Sequence, residues 1–332
     1  MNKTNIGRQI SNAGYHGRIC LLTFAVENQC RMKHNDVLDI KTVCECNRCL
    51  GCETLHPQAT LIRLNGKETV VEESVKFEFY AILLIENCVD NCRCCGRRYY
   101  DFAHATMVFL TPGEIFCMNR DNTLPDCGLL LAFHPDLLWR TTLNRHINDY
   151  TFFRYRKEEA LHLSQRETER VLRYFNDIGE ELHHAIDSHS SILISRLIEL
   201  LLDYCTRFYE RQFITREDKN KELLSRLERR LDDYIASGRL AGGHFPTAAE
   251  CAATLDLSEA YFCDLLRFET GRTLTELLHV KRLEAAKRML LAPGTTPAQV
   301  ARHLGFANVM QFSFIFKKLT GVAPAGYRFA RN

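Results

Sequence analysis

Three Ser/Thr-x-x-Glu/Gln boxes punctuate the last hundred residues, and they constrain the fold more than any other feature of the chain. They are Thr247 with Glu250, Thr273 with Glu276, and Thr296 with Gln299, the last followed by Pro297 at the first helical position. In such a box the hydroxyl accepts from the amide three residues on, and the acid or amide side chain reaches back to the first amide, so each marks a helix start. Apolar spacing then predicts helices over Thr247 to Leu255, Ser258 to Thr270, Thr273 to Leu291, Thr296 to His303 and Asn308 to Leu319. Twice, a short helix, a tight turn and a second helix recur. The second members start at Ser258 and Asn308, fifty residues apart, as an internal duplication would place them.

Paired helices with tight turns are the form in which a helix is presented to the DNA major groove. The helix between the pairs, about 19 residues and roughly 28 Å long, nearly spans the ~34 Å between successive major grooves on one face of the duplex. Charge agrees. From Lys221 onward there are 16 Lys and Arg against 11 Asp and Glu, a net of +5, leaving 27 against 30, or −3, for the rest. Ala252, Leu255, Leu265, Leu266, Leu283, Ala286, Leu290, Val300, Leu304, Phe306, Phe312 and Phe316 are spaced to fill the helix cores. Candidates for the DNA face are therefore Ser258, Glu259, Tyr261, Cys263, Asp264 and Arg267 in the first unit. The second offers Asn308, Met310, Gln311, Ser313, Phe314, Lys317 and Lys318. Asn308 and Gln311 suit adenine edges, whereas Lys317, Lys318, Arg272 and Arg328 suit phosphates.

The run YFCDLLRFETGRTLTELLHVKRLEAAKRMLL, followed by PAQVARHLGFANVMQFSFIFKKLTGVAPAGYR, resembles the DNA-binding domain of the AraC/XylS family over about Lys221 to Asn332. The resemblance implies an all-helical domain with two helix-turn-helix units joined by a long helix. It also implies an N-terminal dimerising or ligand-sensing domain and control of transcription at a promoter, with activation as the expected mode. Partners implied are double-stranded DNA, RNA polymerase, a second copy of the chain and a small-molecule effector. Phe314 departs from the pattern, standing where many relatives carry an arginine directed at DNA, and Val309 and Met310 replace more polar residues; contact with thymine methyls and weaker specificity from this unit are the two readings.

The N-terminal half reads differently. Ala59 to Leu64, Phe77 to Ile85 and Thr106 to Leu110 are short apolar runs bounded by turn residues such as Asn65-Gly66 and Pro112-Gly113, a β-rich pattern. Residues 43 to 135 resemble, more loosely, the sensor domain of a branch of the same family, in Tyr100-Asp101-Phe102 and the later Pro112-Gly113. That resemblance implies a cupin-like barrel; Tyr80, Arg97, Tyr99 and His104 are candidate pocket linings, with an ordinary place in a strand or turn as the alternative reading of each. Long helical segments follow. Ser164 and Glu167 cap a helix running to about Asp187, and Ile192, Ile194, Leu197, Ile198, Leu201, Leu202 and Cys205 give the next an apolar face that needs a partner, which the family resemblance implies is the same helix of a second protomer. The overall expectation is an α+β multidomain protein. It comprises an arm over 1–42, a β-rich regulatory domain with dimerisation helices over 43–210, a charged linker over 211–222 and the DNA-binding domain over 223–332.

Composition bounds the alternatives. No stretch reaches the ~18 apolar residues of a membrane span, and no signal-peptide cleavage pattern follows Ile19 to Val26, so a cytoplasmic protein is expected. Twelve of the 15 cysteines lie between Cys20 and Cys127. Cys44, Cys46, Cys49 and Cys52 form one group and Cys88, Cys92, Cys94 and Cys95 another, inviting a zinc site or a thiol switch. Their spacings, C-x-C-x2-C-x2-C and C-x3-C-x-C-C, do not match paired CxxC knuckles. A zinc-dependent methyl acceptor of the Ada type is one alternative, and an interaction protein that keeps the fold without binding DNA is another. No phosphate loop, Ser-His-Asp set or zinc-helix motif is present, and the scattered His56, His104 and His134 do not make a catalytic cupin, so neither an enzyme nor a cofactor is expected. Metal analysis of the purified chain is expected to find no bound zinc, and a variant with two of Cys44, Cys46, Cys49 and Cys52 changed to serine binds DNA as the parent does. One zinc per chain, lost in the variant, contradicts this.

Overall fold

Strands that read as unbroken apolar runs have to be covered on both faces, and this requirement organises the N-terminal half. The computed structural model describes residues 37–65, 75–86, 95–116 and 127–327. Its strands are β1 (Leu38–Ile40), β2 (Ala59–Asn65), β3 (Val75–Phe77), β4 (Tyr80–Glu86), β5 (Ala105–Leu110), β6 (Glu114–Phe116), β7 (Cys127–Phe133) and β8 (Leu161–Leu163). Five form an antiparallel sheet in the order β2-β7-β4-β5-β8; β1, β3 and β6 form a smaller one in which β1 and β3 run parallel. In β4, Ala81, Leu83 and Ile85 face the small sheet and meet Ile40, Phe77 and Phe79, together with Cys46 of the short helix α1 (Val43–Cys49). Ile82 and Leu84 face the other way, into helices. The central strands are thus buried on both sides by the two-residue alternation of the pleat.

The helical cover is built from α3 (Gln165–His183) and α4 (Ser190–Thr215), preceded by the short α2 (Leu143–His146). Ser164 and Glu167 cap α3 reciprocally, as expected, although the helix ends four residues before Asp187. Phe175 and Ile178 of α3 and Ile194, Ile198, Leu201, Leu202 and Cys205 of α4 pack with Phe109, Leu131 and Phe133. Most of the apolar face of α4 read as a dimer surface is therefore consumed within the chain, Ile192 excepted; the exposed apolar residues of that helix are Ile192, Leu193, Leu200 and Ile214.

Three further expectations differ from what is observed. β1 lies within the segment read as an arm, held by its pairing with β3, while residues 1–36 lie outside the described residues. The Phe77 to Ile85 run divides into β3 and β4, one strand in each sheet. The charged stretch Arg211 to Glu222, read as a linker, is helical: α4 continues to Thr215, Arg216 alone leaves helical geometry, and α5 (Glu217–Ala236) begins at once. Three of its polar residues, Gln212, Arg216 and Asn220, are buried against partners elsewhere in the chain. Gln212 accepts from the His162 amide at 2.8 Å and donates to the Ala160 carbonyl at 3.0 Å, and Asn220 donates to the Phe213 carbonyl and to Glu269.

Cys44, Cys46 and Cys49 lie on α1, and Cys52 just beyond it. Burial, with neighbouring Cys49 and Cys52, pushes the Cys46 thiol up to about 12, so it stays protonated at neutral pH. Cys88, Cys92 and Cys94 lie outside the described residues.

His162 of β8 is fully buried, its Nδ1 3.1 Å from the Thr106 hydroxyl and its Nε2 without a hydrogen-bond partner among the described residues. Burial, and secondarily the neighbouring arginines, lowers it to about 4. The unfolded chain takes up this proton near pH 6.5 and the folded chain only near 4. Stability is therefore complete above about pH 6.5 and falls as the pH drops towards 4, by about 1.4 kcal/mol per unit from this group. Denaturant titrations between about pH 6 and pH 4.5 are expected to show a shallower acid loss in His162→Gln than in the parent; equal slopes contradict the assignment.

Candidate nucleic-acid interface

The C-terminal helices are α5, α6 (Ala248–Leu255), α7 (Glu259–Thr270), α8 (Leu274–Leu291), α9 (Pro297–His303) and α10 (Val309–Thr320). All three capping boxes close as the sequence predicts, with the Thr247, Thr273 and Thr296 hydroxyls accepting from the amides of Glu250, Glu276 and Gln299. The duplication extends to single hydrogen bonds. Ser258 caps α7 through the amide of Tyr261, and Asn308 caps α10 through that of Gln311. At the far ends, Thr270 and Thr320 donate to the carbonyls of Leu266 and Phe316 and accept from the amides of Arg272 and Val322. Every pair is fifty residues apart.

The connecting helix is tied to α5 and to the second pair. α8 has 18 residues, about 27 Å at 1.5 Å per residue. From α8, Lys281 reaches Glu228 and Asp232 of α5 at 3.3 and 3.2 Å. The next residue, Arg282, is buried: its Nε donates to the Leu304 carbonyl at 2.9 Å, and its guanidinium lies 4.2 Å from the centre of the Phe306 ring. Gly305, in the same turn, has φ +70, and a Cβ there would lie 2.3 Å from the Leu240 carbonyl, so this turn accepts only glycine. Sequence reasoning passed over Arg282 because its partners are a carbonyl and rings from other elements.

In the second unit the expected residues are presented together. Asn308, Met310, Gln311, Phe314, Lys317 and Lys318 are exposed and Ser313 half-exposed, with Phe312 and Phe316 turned into the core. Met310 and Phe314, 80% and 69% exposed, give this face an apolar stripe. Gln311 Oε1 accepts from the Ala307 amide at 3.2 Å. Arg272 is exposed, and Arg328 lies outside the described residues.

The first unit is different. Glu259, Cys263 and Arg267 are exposed, as expected, but Ser258 and Tyr261 are buried and Asp264 is half-buried. Their cover comes from the N-terminal half. Glu159 accepts from the Ser258 amide at 2.7 Å and from its hydroxyl; the Tyr155 hydroxyl donates to Asp264 at 2.8 Å. Arg216 pairs bidentately with Asp101 at 2.8 and 2.7 Å and reaches the Tyr261 hydroxyl at 3.4 Å. Beside this contact a cleft of about 1,020 Å³ opens between the two halves, bordered by Arg97, Arg98, Arg156, Lys219 and Arg226. Of the residues read as pocket linings, Arg97 and Tyr99 border this cleft, His104 is exposed elsewhere, and Tyr80 stacks on Phe133.

Among the described residues no helix is long and apolar enough to cross a membrane. Residues 251–330 match a helix-turn-helix domain family. The chain is 31% identical over 140 residues to the arabinose operon regulatory protein of Salmonella typhimurium, a match covering 42% of this chain and 47% of that protein. It is 28% identical over 149 residues to a probable transcriptional regulator, LumQ, of Photobacterium leiognathi, covering 44% and 54%. The chain thus spans about half the length of these curated relatives. Among solved structures, the C-terminal domain of AraT, a response regulator from Geobacillus stearothermophilus, is 30% identical with a TM-score of 0.27, covering 32% of this chain and 85% of that one. ToxT from Vibrio cholerae is 15% identical with a TM-score of 0.26, covering 82% and 97%. The capped, duplicated helix pairs and these sequence matches together identify the C-terminal part of the chain as a helix-turn-helix domain of the AraC type.

Proposed function

We propose that the chain is a sequence-specific DNA-binding regulator of transcription, acting at promoters in answer to a signal sensed by its N-terminal half. One observation carries this reading: two helix pairs of the same build, fifty residues apart, are joined by one connecting helix about as long as the spacing of successive major grooves. Asn308 and Gln311 read base edges, Phe314 and Met310 meet thymine methyls, and Lys317, Lys318 and Arg272 hold phosphates. Glu259, Cys263, Asp264 and Arg267 serve the first unit. The two-sheet N-terminal module is the cupin-like sensor, taking a small-molecule effector; contact with RNA polymerase and activation in the cytoplasm complete the proposal.

Sequencing of genomic fragments retained by the full chain is expected to return an enriched motif with two elements about ten base pairs apart. Gln311→Ala is expected to relax preference at one position of that motif, at a cost of about 1–3 kcal/mol. Retention without any enriched sequence contradicts sequence-specific regulation.

Homodimerisation belongs to the same proposal, on a surface narrower than the sequence suggests: Ile192, Leu193 and Leu200 of α4 remain exposed at 40–43%. Size measurement at micromolar concentration is expected to give twice the chain mass, and Leu193→Glu with Leu200→Glu to give one; a parent monomer, unchanged by DNA, contradicts it.

A further inference from the structure

The duplication makes the two recognition helices comparable position by position. Ser258, Tyr261, Asp264 and Phe268 form one stripe along α7, and Asn308, Gln311, Phe314 and Lys318 form the same stripe along α10. All four residues of the α10 stripe are exposed. On α7, three of the four are engaged by the N-terminal half, and Phe268 lies against Phe213 at 5.3 Å between ring centres.

Glu159 holds the key position in this contact. It sits on the turn Lys157–Glu159 and is only 5% exposed. Its carboxylate takes the amide and hydroxyl of Ser258, the cap of α7, while the same hydroxyl accepts from the Tyr261 amide. Free amides and the dipole make a helix N-terminus the place where a recognition helix receives a backbone phosphate. An internal carboxylate fills that place here. Tyr155, held protonated by burial and by Asp264, donates to the carboxylate one and a half turns further along the reading face. Its ring meets Tyr261 edge-on at 5.1 Å. A duplex can approach neither Ser258 nor Asp264 while these contacts stand.

We propose that the first recognition helix is held in reserve, with Glu159 standing in for a DNA phosphate and Tyr155 covering the reading face. In this closed form the chain engages DNA through its second unit alone; undocking of residues 151–159 from α7 adds the first unit. The inference rests on the DNA-binding reading above.

The test measures binding of the full chain to a random-sequence duplex of about 40 base pairs across a salt series, for the parent, Glu159→Ala and Tyr155→Phe. Each phosphate engaged adds about 0.9 to the slope of log affinity against log salt. Release of the first unit is expected to steepen the slope by about 2 in Glu159→Ala, in the same direction and less in Tyr155→Phe. Affinity is expected to rise about tenfold, as it would if about one parent molecule in ten were open. Circular dichroism establishes that each variant is folded. Should Glu159→Ala not fold, Tyr155→Phe, which loses only a hydroxyl, decides the matter. Folded variants with the parent's slope and affinity overturn the lock and leave DNA binding standing. Absence of binding by parent and variants alike overturns the DNA-binding reading, and the lock with it.

Discussion

The bidentate pair between Arg216 and Asp101 fixes how the two halves of the chain meet. Arg216 is the single residue between α4 and α5, so the direction in which the C-terminal helices leave the N-terminal module is set where its guanidinium is anchored. Burial, which disfavours its charge, is outweighed by the hydrogen bonds to Asp101 and by Tyr261, and the group is held firmly charged. Asp101 is pinned in turn, since one of its oxygens accepts from the Arg98 amide at 2.8 Å. A buried pair of this kind adds little to stability over an apolar substitute, but loss of one partner strands the other charge at a cost of roughly 3–5 kcal/mol. Its structural consequence is direction: with Arg216 in place, Tyr261 and the face of α7 lie against the residue 150–160 segment.

The parts of this architecture legible in the sequence are those whose causes are local. Capping boxes, turn glycines and apolar spacing within ten or fifteen residues placed the five helices from α6 to α10 to within a residue or so, and the fifty-residue repeat followed from them, whereas α5 carries no such box and its start reads as linker. The short apolar runs of β2, β4 and β5 marked a β-rich module for the same reason. What escaped has distant causes. Arg211 to Glu222 looks like a solvated linker because nothing in the stretch itself shows that Gln212, Arg216 and Asn220 will find partners from 7 to 115 residues away. Tyr100-Asp101-Phe102 was noticed as a pattern, while the task of Asp101 became visible only with Arg216 beside it.

The candidate site divides along the same line. In the second unit the faces of α10 are settled by residues of the same domain, so the exposed set could be listed from helical spacing. In the first, spacing correctly turns Leu265 and Leu266 into the domain core. The burial of Ser258 and Tyr261 depends on Glu159 and Arg216, and helical spacing carries no trace of them.

Energetics make a contact of this composition suited to opening. The docking of α7 combines a few hydrogen bonds to charged groups with aromatic contacts that continue the apolar core, each contributing on the order of 1–3 kcal/mol. A DNA phosphate at the cap of α7 would restore the bond lost from Glu159, and Glu159 would regain water beside Arg156, whose guanidinium already borders the open cleft and pairs with Asp256 at 3.2 Å. Opening therefore exchanges like for like at the helix cap, and the net difference between the two forms is small against the several phosphate contacts a second reading helix brings. The same reasoning accounts for the contrast in side chains between the stripes. Phe314 faces water at little cost and waits for an apolar base edge, whereas Asp264, at the equivalent position, would face a polyanion unless it found a donor such as a cytosine amino group. Until then, the hydroxyl of Tyr155 is that donor.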